Sequence, residues 1–203
     1  GEYVSLESSI LFRAAYWDQL PQYLPAEANV LEGRNPPSLL GLGYLDVLDD
    51  AVILANEDPD DLDFDGISGV ARRLEDGQIG RYGWKANVPT LGDFVADAAL
   101  NEIGLTLPTY LSSFTVETDN DDQQDPEKDE RYFYTIEQYL LGLEAPQAQD
   151  INGFSDLEAG RQIFIDTGCG SCHLPNLGGV AAYTDLLLHD VAPDPMVLIE
   201  EDL

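Results

Sequence analysis

The chain's two cysteines fall within five residues, Cys169-Gly-Ser-Cys172-His173. None is left over, so no disulfide can staple distant parts of the fold, and the motif itself has to be explained. Three chemistries use two closely spaced thiols. A structural zinc site needs four ligands, and the sole histidine outside the motif is His189. A thioredoxin-like dithiol needs a βαβ setting, and strands are hard to place anywhere in this sequence. Covalent haem attachment needs two thiols that add to the vinyl groups while the next residue brings an imidazole to the iron. Cys-x-x-Cys-His supplies all three in order.

The residues before the motif support the haem reading. Gly160 and Phe164 lie four apart, and Gly168 immediately precedes Cys169. This spacing resembles the first helix of class I cytochromes c. The expectation is one covalent haem c on Cys169 and Cys172, with His173 as iron ligand, in a protein that works outside the cytoplasm, in the periplasm or at the cell surface. The sixth position stays open among His189, Met196 and a ligand from elsewhere or none. Neutral imidazole is a good axial ligand, whereas Met196 follows His173 by a short interval for a chain returning across the haem.

Charge narrows the partners. Against 39 acidic residues stand 9 basic ones, a formal charge of -30, so nucleic acid is excluded as a partner and an anionic membrane surface disfavoured. The acidity fits either a solvated surface or a face that docks a cationic redox protein. Five of the nine basic residues, Arg34, Arg72, Arg73, Arg81 and Lys85, fall between positions 34 and 85. Arg81 and Lys85 flank Trp84, so this segment offers cationic donors and an aromatic ring for a haem edge. A packed tryptophan with local ion pairs explains the same residues equally well. No apolar run approaches the ~20 residues of a spanning helix, so the chain is not itself transmembrane. No signal peptide is visible at Gly1, which suggests a mature or trimmed form.

The fold expected is mainly α with long loops: a helical, loop-rich region over 1–150 and a cytochrome c-like haem segment over 151–203. Apolar spacing predicts helices over Leu6 to Trp17, Val47 to Ala55, Pro89-Thr90 to Ile103 with Gly104 as stop, and Arg131 to Leu143. Ser155-Asp-Leu-Glu158 reads as a capping box for a helix ending near Asp166. The polar stretch 117–130 reads as an exposed acidic loop. Within 58–69, Asp61, Asp63, Asp65 and Gly66 match the opening of a calcium loop, but the twelfth position from Asp61 is Arg72 rather than Glu. A helix-loop-helix calcium hand is therefore disfavoured. A simpler calcium loop on Asp61, Asp63 and Asp65 and a solvated acidic turn are both open.

Four segments taken together resemble a known family, the di-haem oxidoreductases, also labelled thiol oxidoreductases, which are similar to bacterial di-haem cytochrome c peroxidases. They are Arg34-Asn-Pro-Pro-Ser-Leu-Leu-Gly-Leu-Gly-Tyr-Leu45, Asp58-Pro-Asp-Asp-Leu-Asp-Phe-Asp-Gly-Ile-Ser-Gly69, Gly80-Arg-Tyr-Gly-Trp-Lys-Ala-Asn-Val-Pro-Thr-Leu91 and Tyr183-Thr-Asp-Leu-Leu-Leu-His-Asp190. The resemblance implies two cytochrome-like haem domains, a second haem domain or redox protein as partner, a peroxidase-type reaction, and a tryptophan, here Trp84, between the haems. The family's upstream Cys-x-x-Cys-His is missing from this sequence, and Val191 and Ala192 stand where Met-Gly often follows the His-Asp pair. The expectation is therefore an electron-transferring c-type cytochrome with one haem, either the middle of a family member or a reduced relative. The alternative is a di-haem peroxidase-type enzyme whose other haem lies outside this sequence.

Overall fold

The computed structural model describes residues 37–119, 123–147, 150 and 152–191. The expected helix over Leu6 to Trp17, Arg34 and Met196 lie outside these residues. Five α-helices form: α1 (Leu42–Asp46), α2 (Asp50–Leu54), α3 (Leu91–Ile103), α4 (Glu130–Leu141) and α5 (Ser155–Asp166). Among the described residues β-structure is confined to isolated bridges. The chain is thus mainly helical with long loops, as its weak strand signals implied.

The chain divides into two compact units, one of 1–43 with 90–146 and one of 44–89 with 147–203. The motif segment therefore shares its unit with the Asp-rich loop and the Trp84 segment, both of which the sequence reading grouped with the N-terminal region.

In the first unit, α3 packs on α4. Leu91, Val95, Ala96 and Ala99 fall on one face of α3 at helical spacing and are buried, as are Phe133 and Leu140 of α4. Gly92 allows the close approach: a Cβ there would meet the Glu137 carboxylate at 2.7 Å and the Phe133 ring at 3.4 Å. Thr90 caps α3 by accepting from Asp93 N at 3.1 Å. Gly104, left-handed at φ 67, ends it with bonds from Gly104 N to Leu100 O and Leu105 N to Ala99 O. The acidic stretch after it is anchored at one buried residue. Thr106 donates its hydroxyl to Asp125 and its backbone N–H to Glu127, and accepts from Glu127 N.

In the second unit, Ile53, Ala71 and Ile79 form the core, with Leu54, Leu186 and Leu187 against it. The helix expected over Val47 to Ala55 forms as α2 but starts three residues late. Asp49 accepts from Ala51 N and so caps a new start at Asp50, leaving Val47 exposed between α1 and α2. The capping box expected before α5 does not form, because no side chain bonds the first-turn N–H groups. Phe154 is the cap, Ser155 is already helical, and Glu158 reaches back to Gly153 N at 3.1 Å.

Candidate functional site

α5 delivers the motif. Thr167 closes the helix with its hydroxyl on Ile163 O, and Gly168 turns the chain at φ 81, a left-handed value that a side chain would oppose. A single 3₁₀ turn, Cys169–Ser171, follows, and His173 N donates to Cys169 O at 3.0 Å. This compact turn carries both thiols and the imidazole. Both cysteines are unpaired, Cys169 exposed and Cys172 half-buried.

The His173 ring is oriented from ten residues downstream. Its Nδ1 lies 3.1 Å from the Tyr183 carbonyl, which can only accept, so Nδ1 is the protonated nitrogen and Nε2 keeps its lone pair. Tyr183 is itself set edge-on against Phe164 of α5, with centroids 6.3 Å apart. The helix leading into the turn buries none of its residues and leaves Leu157, Ile163 and Ile165 exposed. A free imidazole nitrogen and two unpaired thiols on one compact turn fit a haem.

His189 occupies a different kind of seat. Its Nδ1 lies 2.7 Å from the Ser68 carbonyl and its Nε2 2.7 Å from Oδ2 of Asp185, a residue only 4% exposed. Both ring nitrogens are thus engaged by protein oxygens, so in this arrangement neither is free for an iron. Asp185 also accepts from Leu187 N at 2.9 Å. Ligand atoms of Cys172, Asp185 and His189 all lie within 4.8 Å of one another, so the histidine sits directly beside the motif. Burial, followed by the charges of Asp185 and Asp65, pushes the Cys172 thiol above its ordinary pKa.

The Asp-rich loop is built from its own carboxylates. Asp58 accepts from Leu62 N, Asp61 from Gly66 N, Asp63 from Asp65 N and Asp65 from Ile67 N. Oxygens of Asp58, Asp61 and Asp63 converge within 4.8 Å. Asp65, the third residue of the expected calcium set, turns instead toward a cavity of about 110 Å³ that Asp58, Asp63, Ser171, Asp185 and His189 also line.

Arg81 is committed locally. Its guanidinium, 9% exposed, donates to the Leu45 carbonyl and the Asp50 carboxylate. Arg73 pairs with Glu57 through both guanidinium nitrogens. Trp84 is 46% exposed on the 3₁₀ turn Trp84–Ala86, where Lys85 and Ala86 both adopt positive φ, 54 and 52. Gly80 and Gly83 make this hairpin possible, since a Cβ on either would collide with Ala86 O or with the Asn87 amide.

Sequence reasoning did not single out Asp185, Ser68 or Tyr183. Ser68 and Tyr183 act through backbone carbonyls, which leave no trace in residue identity. Asp185 does stand four residues before His189, but in a non-helical segment where that spacing has no helical meaning.

Comparison with curated proteins gave no match, and comparison with solved structures gave none either. A family model described as "Di-haem oxidoreductase, putative peroxidase" matches residues 22–194. The match covers most of the chain, including the motif, the Asp-rich loop and the Trp84 segment, so this chain belongs to the di-haem oxidoreductase family and its chemistry is haem-based redox.

Proposed function

We propose that the chain is a c-type cytochrome unit. One haem is attached through Cys169 and Cys172 and ligated by His173, and it passes electrons within a larger periplasmic or cell-surface redox assembly. The observation that carries this reading is the orientation of His173: with Nδ1 on the Tyr183 carbonyl, the lone pair of Nε2 is the free one. When bound, haem supplies reversible one-electron chemistry at its iron.

The chain's own residues do the rest. Cys169 and Cys172 fix the position of the group, and the carbonyl of Tyr183 holds the His173 ring against rotation and raises its basicity. Leu157 and Phe164, seven residues apart on one face of α5, give the site an apolar surface on which the macrocycle can lie. Trp84 and Lys85 are the residues proposed to face a haem edge or a second haem domain, whereas the Arg81 cation is held by Asp50 and Leu45. Met196 or a group from a partner is favoured for the sixth position over His189, whose nitrogens are both engaged. Calcium is proposed for the loop at Asp58, Asp61 and Asp63.

Mass spectrometry of the denatured protein tests the reading: one haem per chain is expected, retained through unfolding and lost in a Cys169→Ser, Cys172→Ser double variant. Haem that washes away on denaturation would overturn covalent attachment. The family description favours a second reading, a peroxidase-type oxidoreductase with its other haem elsewhere. A low-spin haem inert to peroxide supports the relay; a high-spin form oxidised by peroxide supports the enzyme.

A further inference from the structure

His189 joins two parts of the second unit that lie far apart in sequence. The carbonyl of Ser68, 121 residues upstream, accepts from its Nδ1, and the carboxyl of Asp185, beside Cys172, is hydrogen-bonded to its Nε2. The same junction is held by a reciprocal backbone pair, Val70 N to Leu188 O at 3.0 Å and Leu188 N to Val70 O at 2.8 Å. Contact is tight. A Cβ on Gly69 would meet Leu187 Cδ1 at 2.8 Å and His189 Cε1 at 3.0 Å.

What the junction holds in place is negative charge. With Asp58 and Asp63 in the proposed calcium set and Asp185 bonded to His189, the loop carboxylate left to act across the small cavity that Ser171 of the motif also lines is Asp65. Asp65 and Asp185 are near enough to act on the Cys172 sulfur. Fixed anions in a partly desolvated site favour the more positive of two oxidation states, so carboxylates beside a haem stabilise the ferric form.

We propose that His189 is a positioning residue that clamps the Asp-rich loop 58–69 to the haem-attachment motif, so that the Asp65 carboxylate lowers the reduction potential of the haem held there. This rests on the haem reading above. Without the clamp the loop is free to move away from the motif, and its field with it.

The test uses the haem-loaded full chain, with haem content checked first by mass. Absence of haem would defeat the underlying reading before any potential is measured. Three variants are then compared by redox titration, haem spectrum and hydrogen exchange over residues 58–69. Gly69→Val changes no charge but wedges the junction apart; it is expected to speed exchange in the loop and raise the potential without altering spin state. Asp65→Asn leaves the bond to Ile67 N available and removes one charge, and is expected to raise the potential with the loop still protected. His189→Gln keeps an amide donor for Asp185 or Ser68 but not both, so it is expected to speed exchange in the loop while retaining the spin state; unchanged exchange would overturn the role of His189. Conversion from low to high spin in His189→Gln would overturn the proposal by making His189 an iron ligand. Unchanged loop exchange in Gly69→Val would overturn the clamp. An unmoved potential in Asp65→Asn would overturn the electrostatic effect.

Discussion

Glu57 gathers three donors on one carboxylate. Oε1 accepts from Ala71 N at 2.7 Å and from Arg73 Nη1 at 2.8 Å, and Oε2 from Arg73 Nη2 at 2.8 Å. The hydrogen bond from Arg73 holds its pKa below the ordinary 4.5; the Ala71 N–H and the Arg73 charge add to this, and slight burial opposes it. A carboxyl whose folded pKa is depressed adds stability that is fully present above 4.5 and is lost as pH falls through the folded value. Glu57→Gln is therefore expected to lower Tm at neutral pH, with the gap to the parent closing as pH drops below about 4.5. Thermal melts across that range check it. A gap that stays constant with pH would mean that packing, not ionisation, is what the substitution removes. Because Arg73 is half-exposed, solvent screens the pair and the effect is small.

At the scale of elements, α3 shows what local chemistry can specify. Thr90 both accepts from Asp93 N and donates to the Asp93 carboxylate, so the first turn is closed twice by residues three apart. Thr90→Ala is expected to cost about 1 kcal/mol, read as a lower denaturant midpoint with an unchanged slope. A changed slope would indicate that the first unit had loosened more widely. Both ends of this helix were legible in the sequence because a cap and a left-handed glycine act within four residues. The motif turn was legible for the same reason. The break before α2 was less so, since Asp49 and Asp50 are adjacent and either fits a cap by type. The seat of His189 was not legible at all. Its partners are a carbonyl 121 residues away and a carboxylate in an irregular loop, and tertiary folding alone brings them together. The calcium reading fails to match the loop by one position for a related reason: the bridge from Asp58 to Gly69 closes the loop and pulls Asp58 inward, while Asp65 turns to Ile67 N.

For the molecule as a whole, a formal charge of -30 on 203 residues sets a background against which every local contact works. Like charges at such density repel one another in the folded chain more than in the expanded one, so compaction itself is opposed. Salt relieves this: the screening length falls from ~30 Å at 0.01 M to ~10 Å at 0.1 M, below the width of either unit. Tm is therefore expected to climb with sodium chloride from 0.01 M to about 0.1 M and then level off as neighbouring carboxylates become screened. The levelling distinguishes screening from the preferential exclusion of strongly hydrated salts, which goes on strengthening burial as concentration rises. The Glu57–Arg73 pair works in the opposite sense, because salt weakens an exposed attraction. With 39 acidic residues against 9 basic ones, attractions of that kind are outnumbered, and the repulsive term decides the sign. A Tm that fell with added salt would mean that the acidic groups are arranged mainly around cations, as in the contact of Arg81 with Asp50, rather than spread against one another over the surface.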